Sequence, residues 1–313
     1  MIGETMKPLH VTVLMGGPSA ESEVSRRTGR AVVRALSEKG IPVVAVDMPD
    51  EHFWLPPQTD VVFVALHGTF GEDGTLQRIL EERGVPYTGS GPDASALAFD
   101  KARAKAAFLE AGIPTPRAVV VDAPVCRREQ LEPLALPVVV KPARQGSSVG
   151  VTVVRREAEL EAACKRARDY DEKLVIEEFI PGRELTVGIL GEQALPVVEI
   201  KPKKTFYSYE AKYTAGESEY LVPAPLDTQT AARAQTLAQR AHRCLGCRDY
   251  SRVDIRLDPR GRMFVLEVNT LPGFTDTSLF PMAARAANLS FCDVCVRLVE
   301  MARARVEPLA VAT

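Results

Sequence analysis

Long apolar runs are missing from this chain. No stretch approaches the roughly 18 residues that a membrane-spanning helix requires, and no membrane partner is expected. Met1 to His10 lacks the apolar block of a secretory signal, so the expected location is the cytoplasm. An excess of one charge is missing too: 39 Lys and Arg face 41 Asp and Glu. Nothing in that balance asks for nucleic acid or an anionic surface, although local basic patches for phosphate stay open. Six cysteines in 313 residues are too few for a disulfide framework. Two CxxC pairs, Cys244/Cys247 and Cys292/Cys295, have zinc-like spacing, but both fall in helical runs where such positions usually belong to the core. The nucleotide fingerprints GxGxxG and GxxxxGK[ST] are absent, as are internal repeats and low-complexity linkers.

The patterning that is there falls into three stretches. From "VTVLMGG" to Gly84, apolar runs of strand length alternate with helical periodicity, the grammar of a mostly parallel sheet with helices on its faces. A break is expected near Gly89 to Pro92. A second unit opens with the helical run "AFDKARAKAAFLEAG" and continues through the strand "PVVVKP", the loop "ARQGSSVG", the strand "VTVV", a charged helix and the strand "KLVIEEFI". The third unit carries "LTVGIL", "ALPVVEI", a tyrosine-rich stretch at 203–220, a helix near 228–245, the strands "SRVDIRL" and "MFVLEVN", and a final helix.

Several segments could carry chemistry. In "LEVNTLPGFTDTSL" an apolar strand presents Glu267 and Asn269 on one face, since residues i and i+2 point the same way. In "SRVDIRL" the same rule groups Arg252, Asp254 and Arg256. Asp254, Glu267 and Asn269 then offer three hard oxygen donors suited to Mg2+, and Arg252 could hold an oxyanion. "KPARQGSSVG" sets Gly146, Ser147 and Ser148 between two strands, where a hairpin can fold over a triphosphate, with Lys141 and Lys101 as point charges. Glu21 in "GGPSAESEVS" suits a substrate amine or merely a helix dipole, and both readings stay open. His67 in "HGTFGEDG" is a ligand-facing group or part of an ordinary turn. The acids of "VIEEFIPGRE" could read a nucleoside or lie on a surface edge. A metal site explains the acid–acid–amide set better than a solvated strand face, because the hairpin and the cations point to the same phosphoryl chemistry.

Together with "FDKARAK", "FYSYEAKY" and "GCRDYSRVDIRLD", these segments stand in one order, and the chain resembles the bacterial D-alanine–D-alanine ligase family of the ATP-grasp superfamily over essentially its whole length. The resemblance implies an α/β chain with an ATP-grasp fold. A Rossmann-like parallel-sheet domain (1–91) would precede two α+β grasping domains, 92–184 with the glycine-rich loop and 185–313 with a lid and the metal site. It implies that Glu21 orients the first D-alanine, with Ser147 and Tyr213 bonded beside it and His67 near. Lys101, Lys141 and Lys212 would bind phosphates, helped by Ser148. Glu177 falls at the adenine position and Glu184 at the ribose. Asp254, Glu267 and Asn269 would hold Mg2+ or Mn2+, two ions per site, and a monovalent cation such as K+ is compatible. Arg252 and the Gly273 N–H would stabilise the tetrahedral intermediate, and Ser278 with the Leu279 backbone would hold the second carboxylate. Glu178, Gln145 and Leu271 depart from commoner members without touching a matched catalytic position.

The function implied is ATP-dependent joining of two D-alanines through an acylphosphate, for peptidoglycan precursor synthesis, in a homodimer without nucleic-acid or membrane partners. D-Alanyl-D-serine or D-alanyl-D-lactate formation is the alternative reaction. Tyr213 speaks against lactate, because the family's lactate-forming members lack that tyrosine. A non-catalytic nucleotide-binding regulator is the alternative of another class, disfavoured by the intact set Arg252, Asp254, Glu267 and Asn269.

Overall fold

The structure, a computed structural model, describes residues 9–122, 126, 128–202 and 218–305. The first unit is a three-stranded parallel sheet, β1 (Val11–Gly16) between β2 (Val43–Met48) and β3 (Val61–Val64). Helix α1 (Ser22–Glu38) packs on β1 and β2, and α2 (Thr75–Glu82) follows β3. Expectation and structure agree here because β1 and β3 are buried throughout, and a strand covered on both faces reads as an unbroken apolar run.

The run read as one helix in "AFDKARAKAAFLEAG" is two: α3 (Pro92–Phe99) and α4 (Lys101–Glu110). Asp100 breaks it. Its backbone is extended, and its carboxylate accepts the N–H groups of Ala102 and Arg103, capping α4. The cap places Lys101 at the very start of α4, where its ammonium reaches the carbonyl of Gln145 at 2.6 Å.

An antiparallel sheet follows, in the order β4 (Ala118–Val121), β7 (Leu174–Glu178), β5 (Val138–Pro142), β6 (Thr152–Val154), with α5 (Leu160–Arg168) against it. Cys126, between β4 and β5, pairs with Cys164 of α5 in a disulfide across 38 residues. One bridge does not make a framework, and nothing in the spacing pointed to it.

The third sheet runs β11 (Ser218–Leu221), β10 (Val198–Pro202), β8 (Arg183–Leu190), β12 (Tyr250–Leu257), β13 (Met263–Asn269), with β9 (Gln193–Ala194) on β8, and α6 (Thr228–Cys244) packs on it. The final segment holds two helices, α7 (Leu279–Ala286) and α8 (Phe291–Ala304), rather than one. Among the described residues no single helix is long and apolar enough to cross a membrane. Val294, Leu298 and Val299 of α8 share one buried core with Val13, Phe63 and Leu80 of the opening unit. The rings of Phe63, Tyr250, Phe274, Phe280 and Phe291 meet in that core at centroid distances of 5.2–5.8 Å.

Cys247 and Cys295 are buried, and burial pushes both thiols up, Cys247 to about 12. They behave as small apolar core residues. Buried His242 on α6 shares a 2.7 Å hydrogen bond with the Ser251 hydroxyl, and burial pulls its pKa from 6.5 to about 4. Between those values the unfolded chain takes up a proton that the folded chain refuses, so stability falls as pH falls, by about 3 kcal/mol by pH 4. We expect urea unfolding at pH 7 and 4.5 to show this loss, and His242→Gln to remove most of it. An equal acid loss in the variant would assign the effect to other groups.

Candidate active site

Two cavities open along the edges where the three sheets approach one another, one of about 610 Å3 and one of about 480 Å3. They share Lys101, Gln145 and Glu267. The larger is bounded by the loop after β1, the loop after β3, the β5–β6 connection and the turn after β13. The smaller lies between the second and third sheets.

Glu21 stands just before α1, and its carboxylate accepts a short hydrogen bond from the Ser147 hydroxyl. That bond joins the first unit to the β5–β6 connection across 126 residues. Gly146 permits the approach: a β-carbon there would stand 3.1 Å from the Glu21 carboxylate. Ser147 and Ser148 both adopt the left-handed backbone region, with φ of 52° and 59°. As a result the two hydroxyl residues serve different spaces, Ser147 lining the larger cavity and Ser148 the smaller. His67 is buried, with Nε2 3.0 Å from the Thr28 hydroxyl and Nδ1 3.4 Å from Glu72. Glu72, also within "HGTFGEDG", is buried beside it, which the local pattern does not signal. Burial, with the charge of Glu21 adding to it, pushes its carboxyl above the usual range.

Strands β12 and β13 are antiparallel, with Asp254 opposite Glu267 and Arg252 opposite Asn269. The register slips just after Asp254, so this pairing could not be counted from the sequence. Glu267 lines both cavities, Asn269 the larger and Asp254 the smaller. In the structure Arg252 holds Asp254 with two hydrogen bonds, 2.9 and 2.8 Å, while the Thr186 hydroxyl donates to Asp254 at 2.7 Å. Lys101 lies 3.2 Å from Glu267. Among the described residues no group of three His, Cys, Asp or Glu side chains is placed for a metal, and the Asn269 side-chain oxygen accepts the Leu271 N–H at 3.0 Å. Two carboxylates and an amide on adjacent strands form a donor set that fits a hard cation.

At the turn after β13, buried Phe274 pins the loop into the aromatic core. Gly273 and Ser278 line the larger cavity beside it, and Ser278 precedes α7, whose first residue is Leu279. The Ser278 hydroxyl accepts the Thr275 N–H at 3.1 Å.

In the smaller cavity Glu177 is buried between two ammonium groups, Lys141 at 2.6 Å and Lys105 at 2.7 Å. Burial raises its pKa, but the two lysines prevail and hold it below the usual range. Glu184 pairs with Arg256 at 3.2 Å, and Arg256 also donates to the carbonyls of Ile180 and Gly182. Gly182 has φ of 122°, and a β-carbon there would meet the Leu257 carbonyl at 2.1 Å, so the turn between β7 and β8 requires glycine. Glu178 accepts the Arg117 N–H at 3.0 Å. Lys212 and Tyr213 lie outside the described residues.

Comparison with known proteins gives a matching picture. Residues 108–300 match the family model for the D-ala D-ala ligase C-terminus, and residues 55–90 match that for the N-terminus. The D-alanine–D-alanine ligase of Methylacidiphilum infernorum is 47% identical, with 95% of this chain and 97% of that one aligned. That of Geotalea uraniireducens is 44% identical over 98% and 99%. The crystal structure of D-alanine–D-alanine ligase from Bacillus anthracis complexed with ATP superposes with a TM-score of 0.85 at 32% identity, covering 96% of this chain and 98% of that one. The VanG D-Ala:D-Ser ligase from Enterococcus faecalis gives 0.83 at 30%, over 94% and 99%. The ATP-grasp architecture, the paired cavities and these likenesses along nearly the full length converge: the chain belongs to the D-alanine–D-alanine ligase family.

Proposed function

We propose that the protein joins two D-alanine molecules to D-alanyl-D-alanine, with ATP cleaved to ADP and phosphate, for peptidoglycan synthesis. The observation that carries this reading is the meeting of the two cavities at Lys101, Gln145 and Glu267. A nucleotide in the smaller space and an amino acid in the larger would bring phosphoryl donor and carboxylate together there.

A carboxylate is a poor electrophile until one oxygen becomes a leaving group. The first D-alanine carboxylate attacks the γ-phosphorus, giving an acylphosphate and releasing ADP. The amine of the second D-alanine then attacks the acyl carbon, and the tetrahedral intermediate expels phosphate. In this reading Glu21 receives the first ammonium, with Ser147 fixing its carboxylate and His67 and Glu72 behind it. Lys101, Lys141 and Ser148 face the phosphates, Glu177 the adenine and Glu184 the ribose. Arg252 and the Gly273 N–H meet the charge that grows on the acyl oxygen, and Ser278 with the Leu279 backbone holds the second carboxylate. Asp254, Glu267 and Asn269 would hold Mg2+ or Mn2+, which screens phosphate charge during transfer. Lys212 and Tyr213, to which the family resemblance gives phosphate binding and the Glu21–Ser147 group, lie outside the described residues. The division into units 1–91, 92–184 and 185–313 is supported by one sheet falling to each, with β8 starting two residues before the second boundary. A cytoplasmic homodimer completes the reading.

An ADP-release assay with D-alanine, D-serine and D-lactate, and mass identification of the products, tests it. D-Alanyl-D-alanine is expected as the main product. Faster mixed-dipeptide formation with D-serine would transfer the protein to the other acceptor, and ATP binding without turnover would favour the regulator.

A further inference from the structure

Lys105 has no part in the chemistry above, yet it is among the most deeply placed charges in the protein. It follows Lys101 by one helical turn on α4, and it is 5% exposed. Its ammonium has three neighbours: Glu177 Oε2 at 2.7 Å, the Thr115 hydroxyl at 2.8 Å and the Pro116 carbonyl at 3.0 Å. Thr115 in turn donates to the Val265 carbonyl at 2.8 Å, on the strand that carries Glu267. Lys105 borders neither cavity, whereas Glu177 and Lys141 border the smaller one. The group is thus one carboxylate between two ammoniums, of which only Lys141 faces the nucleotide space.

Burying an ammonium is costly, and apolar side chains at such depth are the ordinary choice. Burial draws Lys105 down to about 8 even with Glu177 in contact. The arrangement makes physical sense as a charge balance. A lone Glu177 would bind Lys141 fully and cancel its charge. With Lys105 behind it, Glu177 is already neutralised, and the pair presents one net positive charge at Lys141 to the cavity. We infer that Lys105 is a positioning residue which neutralises Glu177 from behind and so leaves the Lys141 charge available to the triphosphate. This rests on the nucleotide reading of the smaller cavity.

The test is calorimetric binding of a non-hydrolysable ATP analogue and of adenosine to the full chain, with and without Lys105→Met. The analogue is expected to lose about 10-fold or more in affinity, equivalent to about 1.4 kcal/mol, and adenosine less than about 3-fold. In a Glu177→Gln background no carboxylate is left to capture Lys141, so adding Lys105→Met should cost less than about 3-fold. Lys105→Arg should stay near wild type in both ligands. Equal losses for the analogue and adenosine, or a loss undiminished in the Glu177→Gln background, would make Lys105 a structural residue only. If Lys105→Met alone does not fold, the comparison of Lys105→Met/Glu177→Gln with Glu177→Gln decides: a loss of about 10-fold there overturns the inference. A wild-type protein that binds no ATP analogue would instead sink the nucleotide reading. Absence of ADP release with D-alanine would sink the assigned reaction while leaving the binding comparison valid.

Discussion

Arg252→Lys is expected to bind ATP and D-alanine nearly as wild type does and to turn over about 100- to 1000-fold more slowly, the usual effect of losing one oxyanion donor. As the amine attacks the acylphosphate, the acyl oxygen gains charge, and a donor aimed at it favours the transition state over the bound substrates. Lysine supplies charge without the rigid fork of donors. The competing role is visible in the structure, where two of the guanidinium hydrogen bonds go to Asp254. If that ion pair were the whole purpose, lysine would restore much of it and turnover would recover. Arg252→Ala separates the roles less cleanly. It leaves Asp254, 7% exposed, with the Thr186 hydroxyl and, among the described residues, no paired charge, and breaking a buried pair in this way costs roughly 3–5 kcal/mol. Dissociation constants, thermal midpoints and kcat on both variants decide. Near wild-type kcat in Arg252→Lys would remove Arg252 from the oxyanion role.

Glu267→Gln should be nearly as damaging by a different route. Glu267 borders both cavities, lies opposite Asp254 and sits 3.2 Å from Lys101. The substitution keeps shape and removes charge. We expect Mn2+ affinity, read by electron paramagnetic resonance in the presence of ADP, to fall about 10- to 100-fold or more. Turnover at limiting divalent ion should fall at least as far and recover in part at high ion concentration, with the thermal midpoint little changed. Asn269→Ala should act in the same direction. A Mn2+ isotherm superimposable on wild type would take Glu267 out of the metal set.

Much of the site could be read from local pattern because local pattern sets side-chain direction. Arg252 and Asp254, or Glu267 and Asn269, share a face by the two-residue period of a strand. The hairpin nature of "KPARQGSSVG" followed from strands on both sides of a glycine loop. What stayed hidden depends on pairing between distant segments. The slip after Asp254 sets which carboxylate faces which. The break at Asp100 was masked because helical residues stand on both sides, and only the extended backbone at the cap divides them. Strand β4 has only four residues beside a proline-rich stretch, too few for a two-residue period to stand out. Lys105 resembles any solvent-facing lysine until Thr115, Pro116 and Glu177 close around it. Glu72 lies within "HGTFGEDG", but its depth is a tertiary property that the local motif does not carry.

The core that α8 shares with the first sheet has a consequence for biosynthesis. Strand β3 ends at Val64, but the Val294–Val299 segment that shares its core is translated about 230 residues later. At elongation rates of about 5–20 residues per second the interval is on the order of tens of seconds. During it, Val13, Phe63 and Leu80 lack their final partners, although strand pairing and α1 packing need only residues already made. The nascent chain therefore carries this apolar face without its final helix for most of its synthesis, and a chain truncated before Phe291 lacks the residues that complete the core.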